Sequence, residues 1–421
     1  MRSRLGAATA VVAAACVAAL LTPAGAQAAP QGAHHEQHGK KKPKAAHTVR
    51  LTQDADGKSD APSLSADGRY AVFTSWASNL VPGDTNGAPD VFVRDLRTGR
   101  TQRVSTDAAG GQAGLGATAG AISASGRYAV FVSAQPDLIP GEVHDKPSVY
   151  WRDLRTGGLK YVGNDLGHYM TWALHASVSA DGRYVAFAVS ETVPRPGARV
   201  AVRDMRTGQL TQQSFNLHRS HTPLLSDDGS VLVYSSFSYW PYDNPASDVV
   251  VADPLTGTSR SLHTRPDGTR AQGRASQAGI SGNGRYASFT STAADLGPED
   301  TNGTGSNVFV RDLRTDALRI VEAPDPALST ADGALNGNGR YLLFRAFTAG
   351  SSDPGTWYLR DLHSGRTRVA IADTAGTPVQ ATTGNRPLDA RGRTVAFASA
   401  ADDVAPGPRS AGADAYVRRP R

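Results

Sequence analysis

Nine histidine and aromatic side chains lie in the irregular segments that interrupt a repeated pattern in this 421-residue chain. Exposed aromatic rings stack on sugars and anchor protein partners, and they mark interaction surfaces. The sequence therefore predicts a binding site for a protein, peptide or glycan, formed by His168, Tyr169, Trp172, His175, His218, His221, Tyr239, Trp240 and Tyr242. The alternative is that the rings fill gaps beneath irregular loops and that the histidines are ordinary polar surface.

A second group of side chains carries oxygen atoms at the spacing of a cation-binding loop. Asp84, Asn86 and Asp90 form one such segment, and Asp300 and Asn302 repeat its beginning. A hard cation such as calcium takes several oxygen ligands around a sharp turn. We therefore predict a calcium site in these loops, although they lack the full six-position pattern and its terminal glutamate. An Asx-rich turn explains the same residues equally well.

These segments separate seven copies of a phrase of the form Ser-Ala-Asp-Gly-Arg-Tyr, followed by an apolar strand. Self-similarity at such a period indicates a propeller or another repeat architecture. The sequence of each unit predicts four short strands joined by turns. We therefore predict an all-β fold, a seven-bladed β-propeller of four-stranded antiparallel blades over residues 48–421. The turn glycines of the copies are Gly68, Gly126, Gly182, Gly229, Gly284, Gly339 and Gly392.

The two ends of the repeat region complement each other. Residues 415–418 resemble a third strand with no fourth strand after it, and residues 48–52 form an orphan strand before the first hairpin. We expect this N-terminal strand to close the last blade and leave no exposed sheet edge. An Arg-Asp pair such as Arg94-Asp95 ends the third strand of most units, and blade four keeps only the aspartate, Asp253. We expect its aspartate to cap a turn, and its arginine to contact a neighbouring blade or lie on the rim.

The first 28 residues have the order of a secretory signal peptide. Arg2 and Arg4 precede an uncharged apolar stretch, and a small-residue site follows at Ala26-Gln27-Ala28. A membrane anchor is one alternative, but the apolar run is short for a spanning helix. Lipid attachment at Cys16 is a second alternative to cleavage after Ala28. We expect the protein to be secreted and extracellular.

The net charge of +6 is concentrated near the N-terminus. Residues 1–28 contribute +2 and residues 29–47 contribute +3, which leaves +1 for residues 48–421. A body so close to neutral argues against nucleic-acid binding. The His- and Lys-rich segment 29–47 predicts a disordered tether, with adhesion to an anionic cell wall or membrane surface as the alternative. We expect the propeller to be a monomer.

The repeated phrases resemble those of the TolB-like propellers, which are related to WD-repeat blades and carry a Ser-Pro-Asp-Gly turn before an aromatic strand. Here Ala66, Ala124 and Ala180 stand in the place of the proline. Residues 79–87 also resemble a segment of secreted actinobacterial propellers. The resemblance covers nearly all of residues 48–421 and implies a β-propeller fold, but a fold does not imply a function.

Two functions fit these features. We favour a secreted non-catalytic propeller that binds a protein, peptide or glycan through loops on one face, since no Gly-x-Ser-x-Gly nucleophile motif occurs. The alternative is a metal-dependent polysaccharide lyase-like propeller enzyme, in which histidines hold a divalent metal. The candidate ligands for that metal are His168, His175, His218, His221 and His263.

Overall fold

The computed structural model of the protein describes residues 47–60, 62–163, 171–191, 197–213, 219–237, 247–297 and 305–420. The chain divides into two units, Met1–Lys44 and Ala45–Arg421. The predicted signal peptide, Cys16 and nearly all of the basic segment 29–47 lie outside the described residues, so their roles stay predictions. A search of the described part of the chain finds no helix with the length and apolar character needed to cross a bilayer.

Regular secondary structure in the described residues consists of 27 strands. In chain order these are β1 His47–Arg50, β2 Ser63–Leu64, β3 Tyr70–Ser75, β4 Asp90–Asp95, β5 Thr101–Arg103, β6 Ala117–Ile122, β7 Tyr128–Ser133, β8 Ser148–Asp153, β9 Leu159–Gly163, β10 Thr171–Val178, β11 Tyr184–Glu191, β12 Gly197–Asp204, β13 Leu210–Gln212, β14 Arg219–Leu225, β15 Leu232–Phe237, β16 Ser247–Ala252, β17 Ser259–Ser261, β18 Ala275–Ile280, β19 Tyr286–Ser291, β20 Asn307–Asp312, β21 Leu318–Val321, β22 Ser329–Leu335, β23 Tyr341–Phe347, β24 Thr356–Asp361, β25 Thr367–Val369, β26 Val395–Ser399 and β27 Asp414–Arg419. The predicted all-β class is confirmed.

Six antiparallel sheets each contain four consecutive strands, and they form blades one to six, with the first strand of each innermost. Blade one contains β2 to β5, and blade six contains β22 to β25. In blade seven, β26 and β27 pair with each other, and residues 382–388 hold the inner position through bridges from Thr382 to Ala398 and from Leu388 to Val395. The predicted seven-bladed propeller is confirmed.

The N-terminal strand closes the ring, as predicted. β1 pairs antiparallel with β27 in a register that runs from His47 opposite Arg419 to Arg50 opposite Tyr416. Past the strand, Thr52 Oγ1 donates to Asp414 Oδ1 at 2.8 Å, and both side chains are buried. The outer edge of the last blade is therefore paired within the same chain, which blunts a sheet edge that could otherwise aggregate.

The repeated phrase joins neighbouring blades. In its first copy Gly68 has φ +67°, and Ser65 Oγ accepts the Tyr70 N–H at 3.0 Å, so the turn is held by its own residues. The tyrosine ring then packs against the turn glycine of the next blade. A Cβ at Gly182, for example, would lie 2.4 Å from Tyr128 Cδ2. The same close approach pairs Tyr70 with Gly126, Tyr184 with Gly229, Tyr286 with Gly339 and Tyr341 with Gly392.

Hydrogen bonds link these turns in a circuit around the ring. Five links join backbone groups, including Ala66 N–H to Ala124 O and Ala180 N–H to Asp227 O. Side chains supply the other two, from Ser125 Oγ to Ala180 O and from Asn336 Nδ2 to Ala390 O. A proline has no N–H to donate. A proline at position 66 or 180 would therefore leave its link in the circuit unmade.

The Arg-Asp phrase behaves as predicted. Asp95 Oδ1 accepts the Arg97 N–H at 2.9 Å and caps the turn, and the Arg69 guanidinium beside it holds the pKa of Asp95 well below its usual range. In blades two and five the arginine of the phrase contacts the preceding blade: Arg152 binds Thr106 Oγ1 at 3.0 Å, and Arg311 binds Thr264 O at 2.6 Å. These residues hold the scaffold together.

Candidate functional site at the mouth of the central channel

The inner strands of blades two to six each contain a register shift. A bulge leaves a residue unpaired, bends its strand and re-aims side chains, and bulges are frequent next to active sites. Since the first strand of each blade is innermost, these bulges lie around the central channel. They fall between Ala119 and Ala121, Ala173 and His175, His221 and Leu224, Ser276 and Gly279, and Ala331 and Ala334.

Two neighbouring bulges hold non-glycine residues in the left-handed region. φ is +54° at Gln277 and +61° at Asp332. This conformation costs an L-residue about 1–2 kcal/mol. The two side chains hold each other across blades five and six, because the Gln277 amide donates to the Asp332 carboxylate and Gln277 Oε1 accepts the Asp332 N–H at 3.1 Å. Residues in such strained conformations cluster at binding and active sites.

Further polar groups fix the orientation of this pair. Asp332 forms an ion pair with Arg345 Nε at 2.7 Å, and Arg345 Nη1 donates to Pro354 O at 2.7 Å. Thr290 Oγ1 donates to Gln277 Oε1, also at 2.7 Å. About a quarter of the Arg345 and Asp332 side chains is exposed. The cluster is therefore both preorganised and accessible to a ligand.

Gln277 and Asp332 line a cavity of about 290 Å³, with Ser276 and residues 383–385 of blade seven. Further along the axis, toward the turns that join first and second strands, the free space in the channel shrinks to a cavity of about 40 Å³. Its lining there combines apolar side chains such as Ile122 and Val178 with the polar Asn385 and Arg386. The channel is therefore wide at the end lined by Gln277 and Asp332 and narrow at the other end.

The wide end lies where the inner strands begin. At that level the loops that enter inner strands contact the loops that join second and third strands: the Ala117 N–H donates to Pro89 O at 2.7 Å, and the Thr330 N–H donates to Ser306 O at 2.8 Å. The cavity therefore opens on the face of the ring where the inner strands begin.

Most of the predicted binding residues lie outside the described residues. His168, Tyr169, His218, Tyr239, Trp240 and Tyr242 do so entirely. The backbones of Trp172 and His221 lie in β10 and β14, opposite Ser190 and Ser235. His175 is exposed beside the bulge of β10, which places it on the channel wall of blade three. β14 carries both the predicted His221 and Leu224, which lines the cavity.

His263, a candidate metal ligand of the lyase alternative, is a core residue. Its side chain is fully buried, its Nε2 lies 2.8 Å from Ser291 Oγ, and its ring packs edge-on against Phe289. Burial lowers the pKa of His263 to about 4. Within the described part of the chain, no group of three or more His, Cys, Asp or Glu side chains is arranged to hold a metal.

The carboxylates of the predicted calcium loop face hydrogen-bond donors. Arg103 Nη1 lies 3.2 Å from Asp90 Oδ2 and 3.5 Å from Asp84 Oδ2. Gln112 Nε2 donates to both carboxylates, at 2.9 and 2.8 Å, and burial raises the pKa of Asp84. Asn86 Nδ2 donates to Ala113 O at 2.7 Å. Asp300 and Asn302 lie outside the described residues, and calcium binding stays a prediction.

The sequence-based search missed Gln277, Asp332 and Arg345. Strand propensity gives no warning of a residue with positive φ, and these three belong to no repeated phrase. One signal was present, because Gly279 and Gly333 follow the two strained residues closely within inner strands. Glycine inside a strand marks a bulge or a close backbone approach.

No protein-family model matches the chain, and no curated protein sequence matches it. Among solved structures, an oligogalacturonate lyase in complex with manganese is 14% identical, with 89% of this chain and 93% of that chain covered and a TM-score of 0.57. The β-propeller domain of the Trilobed protease from Pyrococcus furiosus is 10% identical, with 81% and 91% covered and a TM-score of 0.52. TolB from Acinetobacter baumannii is 13% identical, with 75% and 63% covered and a TM-score of 0.41.

The fold is shared. At these identities the likeness extends to the β-propeller architecture alone. The closer relationships predicted from the sequence, to TolB-like, WD-repeat and actinobacterial propellers, stay predictions. The Pyrococcus domain is described as having an open velcro topology. In the present chain β1 pairs with β27, so its last blade is closed by the N-terminal strand.

Proposed function

We propose that this chain is a secreted, non-catalytic β-propeller that binds a protein, peptide or glycan at the mouth of its central channel. The observation that carries the proposal is the pair Gln277 and Asp332. Both residues keep a strained backbone, both line the 290 Å³ cavity, and each bonds to the other. Glycine would adopt these φ values without strain, and side-chain-bearing residues in such conformations cluster at binding sites.

The chemistry of the cavity suits recognition of a polar ligand. It presents an amide at Gln277, a second amide at Asn385, hydroxyls at Ser276 and Thr383, and an ion-paired carboxylate at Asp332. Such a set donates and accepts hydrogen bonds in fixed directions, which provides specificity in ligand sites. The exposed His175 and the predicted aromatic loops would extend this surface outside the cavity.

Secretion is the part of the proposal that rests on the sequence alone. Its support is the basic start, the apolar stretch and the site at Ala26-Gln27-Ala28. We expect the protein to be found outside the cell, with a mature N-terminus at Ala29. N-terminal sequencing of the exported protein tests this, and a lipidated Cys16 at the N-terminus would contradict it.

A screen of the purified protein against peptide and glycan arrays tests the binding role. We expect at least one class of peptide or glycan to bind, and a Ser276→Trp variant, whose indole would fill the cavity, to lose that binding. A folded wild-type protein that binds nothing would contradict the proposal. Equal binding by the Trp variant would place any ligand elsewhere.

A further inference from the structure

A basic groove lies between blades five and six, on the face that carries the turns between first and second strands. Its volume is about 670 Å³, and its lining includes Arg285, Arg319, Arg340, Asn338 and His363. We propose that this groove binds a carboxylate-bearing sugar of an anionic glycan, at a site separate from the channel mouth. The proposal does not depend on the function proposed above.

Two of the arginines are held in place by aspartates that accept bonds from only two of the three guanidinium nitrogens. Arg285 gives Nε and Nη2 to Asp312, and Arg340 gives Nε and Nη2 to Asp361. Their side chains are 44% and 48% exposed, against 32–35% for the equivalent arginines of blades one to three. Each guanidinium is thus fixed in orientation and still open to the groove.

The groove carries an excess of positive charge. Arg319 adds a third guanidinium, which is exposed and donates from Nη1 to Leu362 O at 2.6 Å. Two carboxylates, Asp312 and Asp361, oppose the three guanidinium groups, which leaves a net charge of +1. The nearby Asp316 carboxylate binds Arg260 and Arg311 instead.

Two turns beside this groove lack a negative charge that other copies of the repeat carry. The turn residue that is an aspartate at Asp67 and Asp181 is an asparagine at Asn283 and Asn338. The turn itself is unchanged, because Asn338 Oδ1 accepts the Arg340 N–H at 3.0 Å, as Asp67 Oδ1 accepts the Arg69 N–H at 2.9 Å. The negative charge is therefore missing from the two turns that flank this groove.

The remaining walls select a sugar over a bare anion. Tyr286, Leu318 and Leu362 line the groove, with the Arg285 guanidinium 4.9 Å from the Tyr286 ring centroid. Sugar rings present apolar C–H faces that pack on such surfaces, and guanidinium groups bind carboxylates in a forked geometry. A ligand with both features, a uronate residue within a glycan, fits the groove best.

Blade one supplies the design of the test. The groove between blades one and two is smaller, about 450 Å³, and has Gln102 where this groove has Arg319. An Arg319→Gln substitution therefore copies a residue that the same scaffold already accepts. Arg206→Gln, at an exposed turn of blade three, removes the same charge elsewhere and serves as the control.

The experiment titrates the full chain with tetrasaccharides of glucuronate, galacturonate and mannuronate, with a neutral cellotetraose as reference. We expect one uronate to bind, Arg319→Gln to weaken its Kd at least tenfold, and Arg206→Gln to change it less than twofold. No binding of any uronate, or equal binding of cellotetraose, would overturn the proposal. Inorganic phosphate is the competitor in a further titration. If it displaces the uronate at equal concentration, the groove is a phosphate site and the proposal is overturned.

Discussion

Arg386 of blade seven forms an ion pair with Asp227 of blade four, with 2.6 Å between Nη2 and Oδ1. Blades four and seven are not neighbours in the ring, so this contact crosses the central channel. Arg386 also lines the narrow part of the channel. An ion pair between non-neighbouring blades therefore spans the narrow part of the channel.

This ion pair should stabilise the ring. Both side chains are mostly buried, at 21% and 28% exposure, so we expect a coupling energy of about 1 kcal/mol, at the upper end for partly exposed pairs. A double-mutant cycle with Arg386→Met and Asp227→Asn, read by urea unfolding, measures it.

The pair Arg409 and Asp402 is the matched control. It is an ion pair too, but Asp402 is 83% exposed. Its coupling energy should be close to zero because exposed pairs are screened by water and salt. Equal coupling energies for the two cycles would show that the crossing contact has no special role in stability.

The contact between blades predicts the cost of a methyl group at a turn. In a Gly182→Ala variant the new Cβ would strike the Tyr128 ring at a residue with φ +74°. We expect a loss of about 3 kcal/mol in the free energy of unfolding, from backbone strain plus overpacking. Chemical denaturation of both proteins measures the difference.

Gly208 separates the two contributions. It has φ +78°, and nothing lies within 4 Å of a Cβ built there. Gly208→Ala should therefore cost about 1 kcal/mol, the backbone strain alone. In a Tyr128→Ala background the cost of Gly182→Ala should fall to the same value. An unchanged cost in that background would refute the proposed ring contact.

His263 should make stability depend on pH. Burial lowers the pKa of His263 to about 4, below its ordinary 6.5. As the pH falls from about 6.5 to 4, the unfolded chain takes up a proton that the folded chain does not, so stability falls by up to about 1.4 kcal/mol per pH unit. Denaturant unfolding of wild type and His263→Gln at pH 7 and pH 5 compares the two slopes. If both proteins lose the same stability over this interval, His263 is not its source.

The strained pair predicts an unusual effect of glycine. Gln277→Gly and Asp332→Gly relieve positive φ while removing side-chain hydrogen bonds, so we expect the double variant to unfold within about 1 kcal/mol of wild type. Ala331→Gly in the same strand relieves nothing and should cost about 1 kcal/mol. Thermal and urea unfolding compare the variants. A large loss in the double variant would mean that the two side chains serve stability.

The repeats made the propeller predictable, because the phrase contains both halves of each contact between blades. Most copies of the phrase hold a turn glycine and, two residues later, a tyrosine, as in Gly126 and Tyr128. The tyrosine packs on the turn glycine of the next copy, as Tyr128 does on Gly182. Even the departures were informative: Ala66 and Ala180 provide the N–H groups of the turn circuit. Closure by the N-terminal strand followed from counting strands.

The site was less predictable, because it depends on local exceptions to the repeat. Positive φ at Gln277 and Asp332 arises from bulges that only the paired strands define. Oxygen-rich spacing at Asp84 and Asp90 suggested a cation, but spacing could not show that Arg103 and Gln112 contact the same carboxylates. Long-range partners of a loop are fixed by the fold.

The most direct test of the channel-mouth site is calorimetric titration of the best array ligand into wild type and the Gln277→Gly/Asp332→Gly variant. Ala331→Gly controls for the glycine substitutions, and Arg319→Gln controls for binding at the opposite face. We predict a loss of at least tenfold in affinity for the double variant, with both controls within twofold of wild type. A double variant that folds and binds as tightly as wild type would contradict the account.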